Sequence, residues 1–268
     1  MAAERNAPPP LAGIGEIKHF IAVGSGKGGV GKTTVAVNLA VALSKQGYRV
    51  GLLDADIFGP SIPTMLDVHL EAELEQGMMK PIEKYGLKIM SIGFMIGEDQ
   101  AVVWRGPMVS RAIKDFLGRV GWGDLDFLVV DLPPGTGDAS ITIAQSLPDA
   151  LMLIVTTPQK VALADVRKAI NMFRKMGIDI VGIVENMSYF QCEHSTDRIE
   201  IFGQGGGEGL SKDLSIRFLG ALPIDIELRK SGDEGRPFML EPADTETGKI
   251  FEKIARDIVT DATISRAR

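Results

Sequence analysis

A chain of 268 residues that is 45% hydrophobic can bury one large core, and its single cysteine, Cys192, excludes an internal disulfide framework. A formal net charge of -6 and a pI near 5.2 argue against a nucleic-acid partner, because such footprints are built from clustered Lys and Arg. No run approaches the about 18 apolar residues of a spanning helix, and the opening MAAERNAPPPLAG has no apolar core behind a basic start, so the expectation is a cytoplasmic protein.

Residues 1–16, stiffened by Pro8 to Pro10, read as a flexible leader, and 17–268 as one domain. Short runs rich in Val, Ile and Leu then predict strands at His19 to Val23, Val50 to Leu53, Phe127 to Val130, Leu151 to Val155, Ile180 to Val184 and Phe218 to Leu222. Between them, helical periodicity marks Lys32 to Gln46, Met108 to Val120, Ala139 to Ser146, Leu163 to Met176 and Gly207 to Leu214. This alternation predicts an α/β fold with a doubly wound, mostly parallel sheet covered on both faces. The Met-rich segment Glu71 to Gly97 reads as either a small antiparallel excursion or a mobile insertion. A final helix spans Thr245 to Thr260, with Ile250, Ile254 and Ile258 on one stripe. Its Lys249, Lys253 and Arg256 would suit a membrane surface, although amphipathic helices of this kind normally pack on their own domain.

The first strand runs directly into Gly24-Ser25-Gly26-Lys27-Gly28-Gly29-Val30-Gly31-Lys32-Thr33-Thr34, which contains G-x-x-x-x-G-K-[ST] from Gly26 to Thr33. Between a strand and a helix, such glycines let backbone N–H groups curl around phosphate oxygens, and the helix adds its positive end. Lys32 then supplies charge to the β- and γ-phosphates, and Thr33 offers a hydroxyl to magnesium. The loop from Gly26 through Lys27, Gly28, Gly29, Val30, Gly31, Lys32 and Thr33 to Thr34 is therefore the expected ATP site. Carboxylates accompany it. Asp54 and Asp56 end the second predicted strand and Asp131 ends the third, where the crevice of a doubly wound sheet lies. Each alone would suit a helix cap or turn; together with Thr33 they suit a hard divalent cation, with Asp54 and Asp131 as magnesium ligands and Asp56 orienting the attacking water.

Lys27 is unusual, because an ordinary phosphate loop needs only Lys32, and a second cation so close needs further negative charge, such as another nucleotide's phosphate. The run Gly26-Lys27-Gly28-Gly29-Val30-Gly31-Lys32-Thr33 resembles the deviant Walker A loop of the MinD/ParA-like ATPases. That resemblance implies that Lys27 reaches across a homodimer to the partner's ATP, making the dimer conditional on nucleotide and hydrolysis its release.

Longer phrases narrow the resemblance. Asp54-Ala55-Asp56-Ile57-Phe58-Gly59-Pro60-Ser61-Ile62-Pro63, Trp104-Arg105-Gly106-Pro107-Met108, Asp131-Leu132-Pro133-Pro134-Gly135-Thr136-Gly137-Asp138 and Glu185-Asn186-Met187-Ser188 are similar to the Mrp/ApbC/Nbp-type iron–sulfur cluster carriers. The similarity covers roughly Ile17 to Leu240. It implies that Asp54 and Asp56 form a first switch and Gly135 to Asp138 a second, that Asn186 and Pro223 border the adenine, and that clusters pass to acceptor apoproteins. A MinD/ParA-like switch that positions a partner protein without a cluster stands as the alternative.

One departure falls at the metal position. The carriers place Cys-x-x-Cys just after the Asn-Met-Ser phrase, whereas this chain reads Cys192-Glu193-His194-Ser195, and a serine hydroxyl is a poor iron ligand. Cys192 and His194 from two subunits could form a mixed site for a bridging iron–sulfur cluster. Alternatively, external thiols fill a labile site, or the chain has lost the metal.

Overall fold

The computed structural model describes residues 17–75, 77–95, 106–147, 149–192, 197–241 and 244–266. In chain order the elements are β1 (Ile17–Ser25), α1 (Lys32–Lys45), β2 (Val50–Asp54), α2 (Ile62–Met65), β3 (Leu74–Glu75), β4 (Met78–Met79), β5 (Ile82–Lys84), β6 (Leu87–Ser91), α3 (Gly106–Gly118), β7 (Leu125–Asp131), α4 (Asp138–Ser146), β8 (Leu151–Thr156), α5 (Lys160–Lys175), β9 (Asp179–Glu185), β10 (Phe190–Gln191), β11 (Arg198–Ile199), α6 (Gly206–Leu214), β12 (Phe218–Ala221), α7 (Ile226–Asp233) and α8 (Glu246–Arg266).

Eight strands form the central sheet in the order β12-β9-β8-β1-β7-β2-β6-β5, every neighbouring pair parallel except β5 with β6. Burial on both faces is what makes β2 and β8 read as unbroken apolar runs, since each of their residues is buried. By the right-handed rule for parallel connections, this strand order puts α1 on one face and α3, α4, α5 and α6 on the other. From Val35 to Leu43, α1 is buried all round, because α8 covers the side that the sheet does not.

The described part of the segment, from Glu71 to Met95, holds both parallel and antiparallel strands. A short antiparallel ribbon, β3 with β4, precedes β6, which joins the main sheet parallel to β2 and carries β5 antiparallel on its edge. Lys88 interrupts the apolar run of β6, and its ammonium escapes to the Trp122 carbonyl at 2.8 Å, which explains the weak strand signal. Two short helices, α2 and α7, also lacked an apolar pattern; α7 buries only Leu228 and starts on the Asp225 carboxylate, which accepts from Glu227 N at 2.8 Å.

The apolar stripe of α8, Phe251, Ile254, Ala255, Ile258 and Ala262, lies in the core, while Lys249, Lys253 and Arg256 pair with Asp244, Asp257 and Glu252. No helix among the described residues is long and apolar enough to cross a membrane. Phe251 is fully buried, so Phe251→Ala should cost about 3–5 kcal/mol. A urea midpoint at the parental value would show that α8 is not docked in solution.

Candidate nucleotide site

The sheet reverses its winding direction at β1, with β7 and β8 on either side, and the crevice at such a point opens above the carboxyl ends of the strands. The glycine loop lies there. Gly31 holds φ 79°, a left-handed conformation that an L side chain resists, and a Cβ on it would fall 2.1 Å from Asn186 Nδ2. Immediately afterwards α1 begins with no side-chain cap, leaving first-turn N–H groups directed at the crevice. Gly26 is required for a different reason: a Cβ there would come within 2.3 Å of Val166 N in α5.

Parallel register brings the carboxylates together, with Asp131 of β7 opposite Asp54 of β2 and Val23 of β1. Lys32 and Thr33 converge on the first of them: Lys32 Nζ donates to Asp131 Oδ1 at 2.7 Å, and Thr33 Oγ1 donates to Oδ2 at 2.6 Å. Asp54 instead organises the chain that follows it. Its Oδ1 accepts from Asp56 N at 3.1 Å, and its Oδ2 accepts from Ile62 N at 3.2 Å and Ser91 Oγ at 3.1 Å. Ser91 belongs to the strand that the sequence left undecided, so its part in the site was not visible.

Burial dominates the electrostatics. It pushes Asp54 up to about 7, with the Asp131 carboxyl adding to the rise, and it raises Asp131 against the opposing pull of Lys32 and Thr33. Asp56, half-buried at the crevice, is raised by desolvation in spite of Lys32. A carboxyl with a raised folded pKa stabilises the fold fully below its unfolded value near 3.8 and loses that contribution as pH climbs through about 7. Nucleotide-free protein should therefore lose more stability between pH 4.5 and 7.5 than Asp54→Asn does, read as urea midpoints. Equal slopes would mean that Asp54 ionises normally.

The other expected site residues are placed as follows. Asn186 is buried and donates its amide to the Val30 carbonyl at 2.9 Å, so it braces the loop in addition to standing where the resemblance sets the adenine. Pro223, also buried, follows Leu222, whose backbone bonds Glu185 O at 2.8 Å and Ser188 N at 2.9 Å, which puts it at the strand end next to Asn186. Lys27 donates to Gln159 Oε1 at 3.3 Å. Glu185, quoted above only within the Asn-Met-Ser phrase and given no role there, is buried, accepts from Gly207 N at 2.5 Å and from the Ser188 hydroxyl, and so ties the first turn of α6 to β9.

Cys192 is exposed just beyond β10 in the β10–β11 hairpin, which bridges to Ile224 through Phe190. At the hairpin base the Arg198 guanidinium lies 4.2 Å over the Tyr189 ring, and both side chains bond Glu246 at the start of α8, at 2.7 and 2.9 Å. Burial and the Glu246 carboxylate push the Tyr189 hydroxyl up to about 12. His194 and Ser195 lie outside the described residues, as do Trp104 and Arg105 of the second phrase. Among the described residues no three His, Cys, Asp or Glu side chains gather as a metal-holding group.

Comparison with known proteins follows the same lines. A family model described as ParA: NUBPL iron-transfer P-loop NTPase matches residues 16–259. An iron–sulfur cluster carrier protein of Synechocystis is 48% identical over 261 residues, 95% of this chain and 74% of the relative. The iron–sulfur cluster transfer protein NUBPL of Dictyostelium discoideum is 47% identical, covering 91% of this chain and 76% of that one. Among solved structures, a nucleotide-binding protein of Archaeoglobus fulgidus in complex with ADP aligns with TM-score 0.76 at 41% identity, over 86% of this chain and 91% of that one. The cell division ATPase MinD of Pyrococcus furiosus shares the fold, at TM-score 0.66 and 24% identity over 91% of this chain and 99% of that one. With a phosphate loop, buried acids and strand order of this kind and a family match over nearly its whole length, the chain belongs to the NUBPL iron-transfer family of P-loop NTPases.

Proposed function

We propose that this chain is a Mg-dependent ATPase that carries iron–sulfur clusters to acceptor apoproteins as a nucleotide-gated homodimer. The observation that carries this reading is the short covalent path between the two sites. Asn186 braces the phosphate loop at Val30, and the same strand end continues through Ser188, Tyr189 and Phe190 to the exposed Cys192. A change in loop conformation is thereby felt a few residues away at the thiol.

Thr33, Asp54 and Asp131 present only oxygen, which fits a small hard cation that completes its shell with phosphate and water oxygens. Magnesium bound there would neutralise charge developing on the γ-phosphate. Lys32 leaves Asp131 for the phosphates, Asp56 orients the attacking water, and Lys27 crosses to the partner's nucleotide. Asn186 and Pro223 border the adenine. Cys192, with His194 two residues on, holds the cluster as cargo between subunits, and opening of the dimer after hydrolysis releases it.

Anaerobic reconstitution with iron and sulfide tests the cargo. The parent is expected to hold about one two-iron cluster per dimer, Cys192→Ala to hold none, His194→Ala to hold less, and Ser195→Cys to hold a more stable all-thiolate cluster. Iron uptake by Ser195→Cys but not by the parent would leave an ATPase without native cluster carriage and favour a switch that positions a partner protein.

A further inference from the structure

Lys27 is half-buried, and both of its ends are held by its own chain. Its ammonium donates to Gln159 Oε1 at 3.3 Å, and its carbonyl accepts from the Ser25 hydroxyl at 3.0 Å. Just before it, Gly26 packs so tightly on α5 that a Cβ would come within 2.3 Å of Val166 N and 2.5 Å of the Asp165 carbonyl carbon. The acceptor is equally well fixed. Gln159 is the N-cap residue of α5, with φ -62° and ψ 131°, and its carbonyl accepts from Leu163 N at 3.1 Å. Thr157, only 3% exposed, directs its hydroxyl to the same side-chain oxygen at 3.4 Å. The ammonium selects the rotation of the carboxamide, because the opposite one would set an NH2 against it, and the Thr157 hydroxyl adds a second donor to the same oxygen.

We propose that Gln159 is a positioning residue that latches Lys27 in cis, so that closure of the dimer requires this contact to break before Lys27 reaches the partner's nucleotide. The inference rests on the trans role of Lys27 proposed above. A neutral acceptor suits a latch of this kind. It offers a hydrogen bond strong enough to bias a half-exposed lysine and weak enough to yield to phosphate, whereas a carboxylate would compete with the phosphate for the same charge. The position of the latch also makes sense: with Gly26 pinned on α5, the side chain of Lys27 is the part of this loop segment that can swing.

The test uses the full chain and two readouts on parent, Gln159→Ala, Gln159→Glu and Thr157→Val. Acylation of Lys27 by an amine-specific reagent, read by mass spectrometry without nucleotide, reports the latch whether or not the lysine acts in trans. Sedimentation across an ATP series reports closure. Gln159→Ala should raise Lys27 reactivity and lower the ATP concentration for half-maximal dimer about threefold. Thr157→Val, which keeps Gln159 and removes the hydrogen bond that anchors its side chain, should move both readouts the same way to a smaller extent. Gln159→Glu should lower reactivity and raise that ATP concentration about fivefold. Parental values for all variants in either readout overturn the latch. Should Lys27→Ala dimerise normally with ATP, the trans role fails and the proposal with it, an outcome told apart from the first because the reactivity of Lys27 would still respond to Gln159.

Discussion

Lys32→Ala is expected to abolish measurable Mg-ATP binding and also to destabilise the nucleotide-free protein. Both effects come from one side chain. In the structure Lys32 is 6% exposed and its ammonium bonds Asp131, a fully buried carboxylate that lies opposite a second one, Asp54. With the ammonium removed, the pair keeps its desolvation cost and loses the lysine that Asp131 bonds; breaking a buried pair in this way costs about 3–5 kcal/mol. Protonation gives partial relief, because Asp54 and Asp131 already hold their protons more tightly than usual. The loss of stability should accordingly be larger at pH 8 than at pH 5, where relief is more complete. Calorimetric titration with Mg-ATP and urea midpoints at the two pH values check the two halves. Unchanged ATP affinity would remove Lys32 from the phosphate site, and a pH-independent loss would mean that the buried acids are not what Lys32 neutralises.

Lys27→Ala should behave in the opposite way, leaving nucleotide binding and folding near parental values while eliminating ATP-dependent dimers and lowering hydrolysis on the order of a thousandfold, the effect of a cation supplied in trans. The structure separates the two lysines sharply. Lys32 is buried on Asp131, whereas Lys27 is half-buried on Gln159 and, among the described residues, pairs with no carboxylate. Its removal therefore exposes no buried charge, and a stability loss is not expected. Sedimentation with and without ATP, paired with phosphate release, decides the matter: dimers that form normally in Lys27→Ala would refute the crossing lysine.

How much of this could be read beforehand depended on the range of the interaction. The strand-to-helix run Gly24 to Thr34 announces its backbone task locally, because glycine spacing and the first turn of α1 involve neighbours in sequence. The apolar strands were equally legible, since burial on both faces leaves polar residues only at their carboxyl ends, Asp54 in β2 and Thr156 in β8. Less could be read of β6, where Lys88 breaks the run and leaves by way of a carbonyl 34 residues away.

Composition and motif spacing by themselves determined a P-loop NTPase with a mostly parallel sheet, a second loop lysine and a lone cysteine, which only the resemblance to the carriers set at a metal position. Only the tertiary structure decided which groups meet: Lys32 with Asp131 across 99 residues, Asn186 with Val30 across 156, and Lys27 with Gln159 across 132. The physical reason is strand order. By inserting β7 and β8 on either side of β1, the sheet brings to one crevice carboxylates, amides and lysines that no local pattern connects.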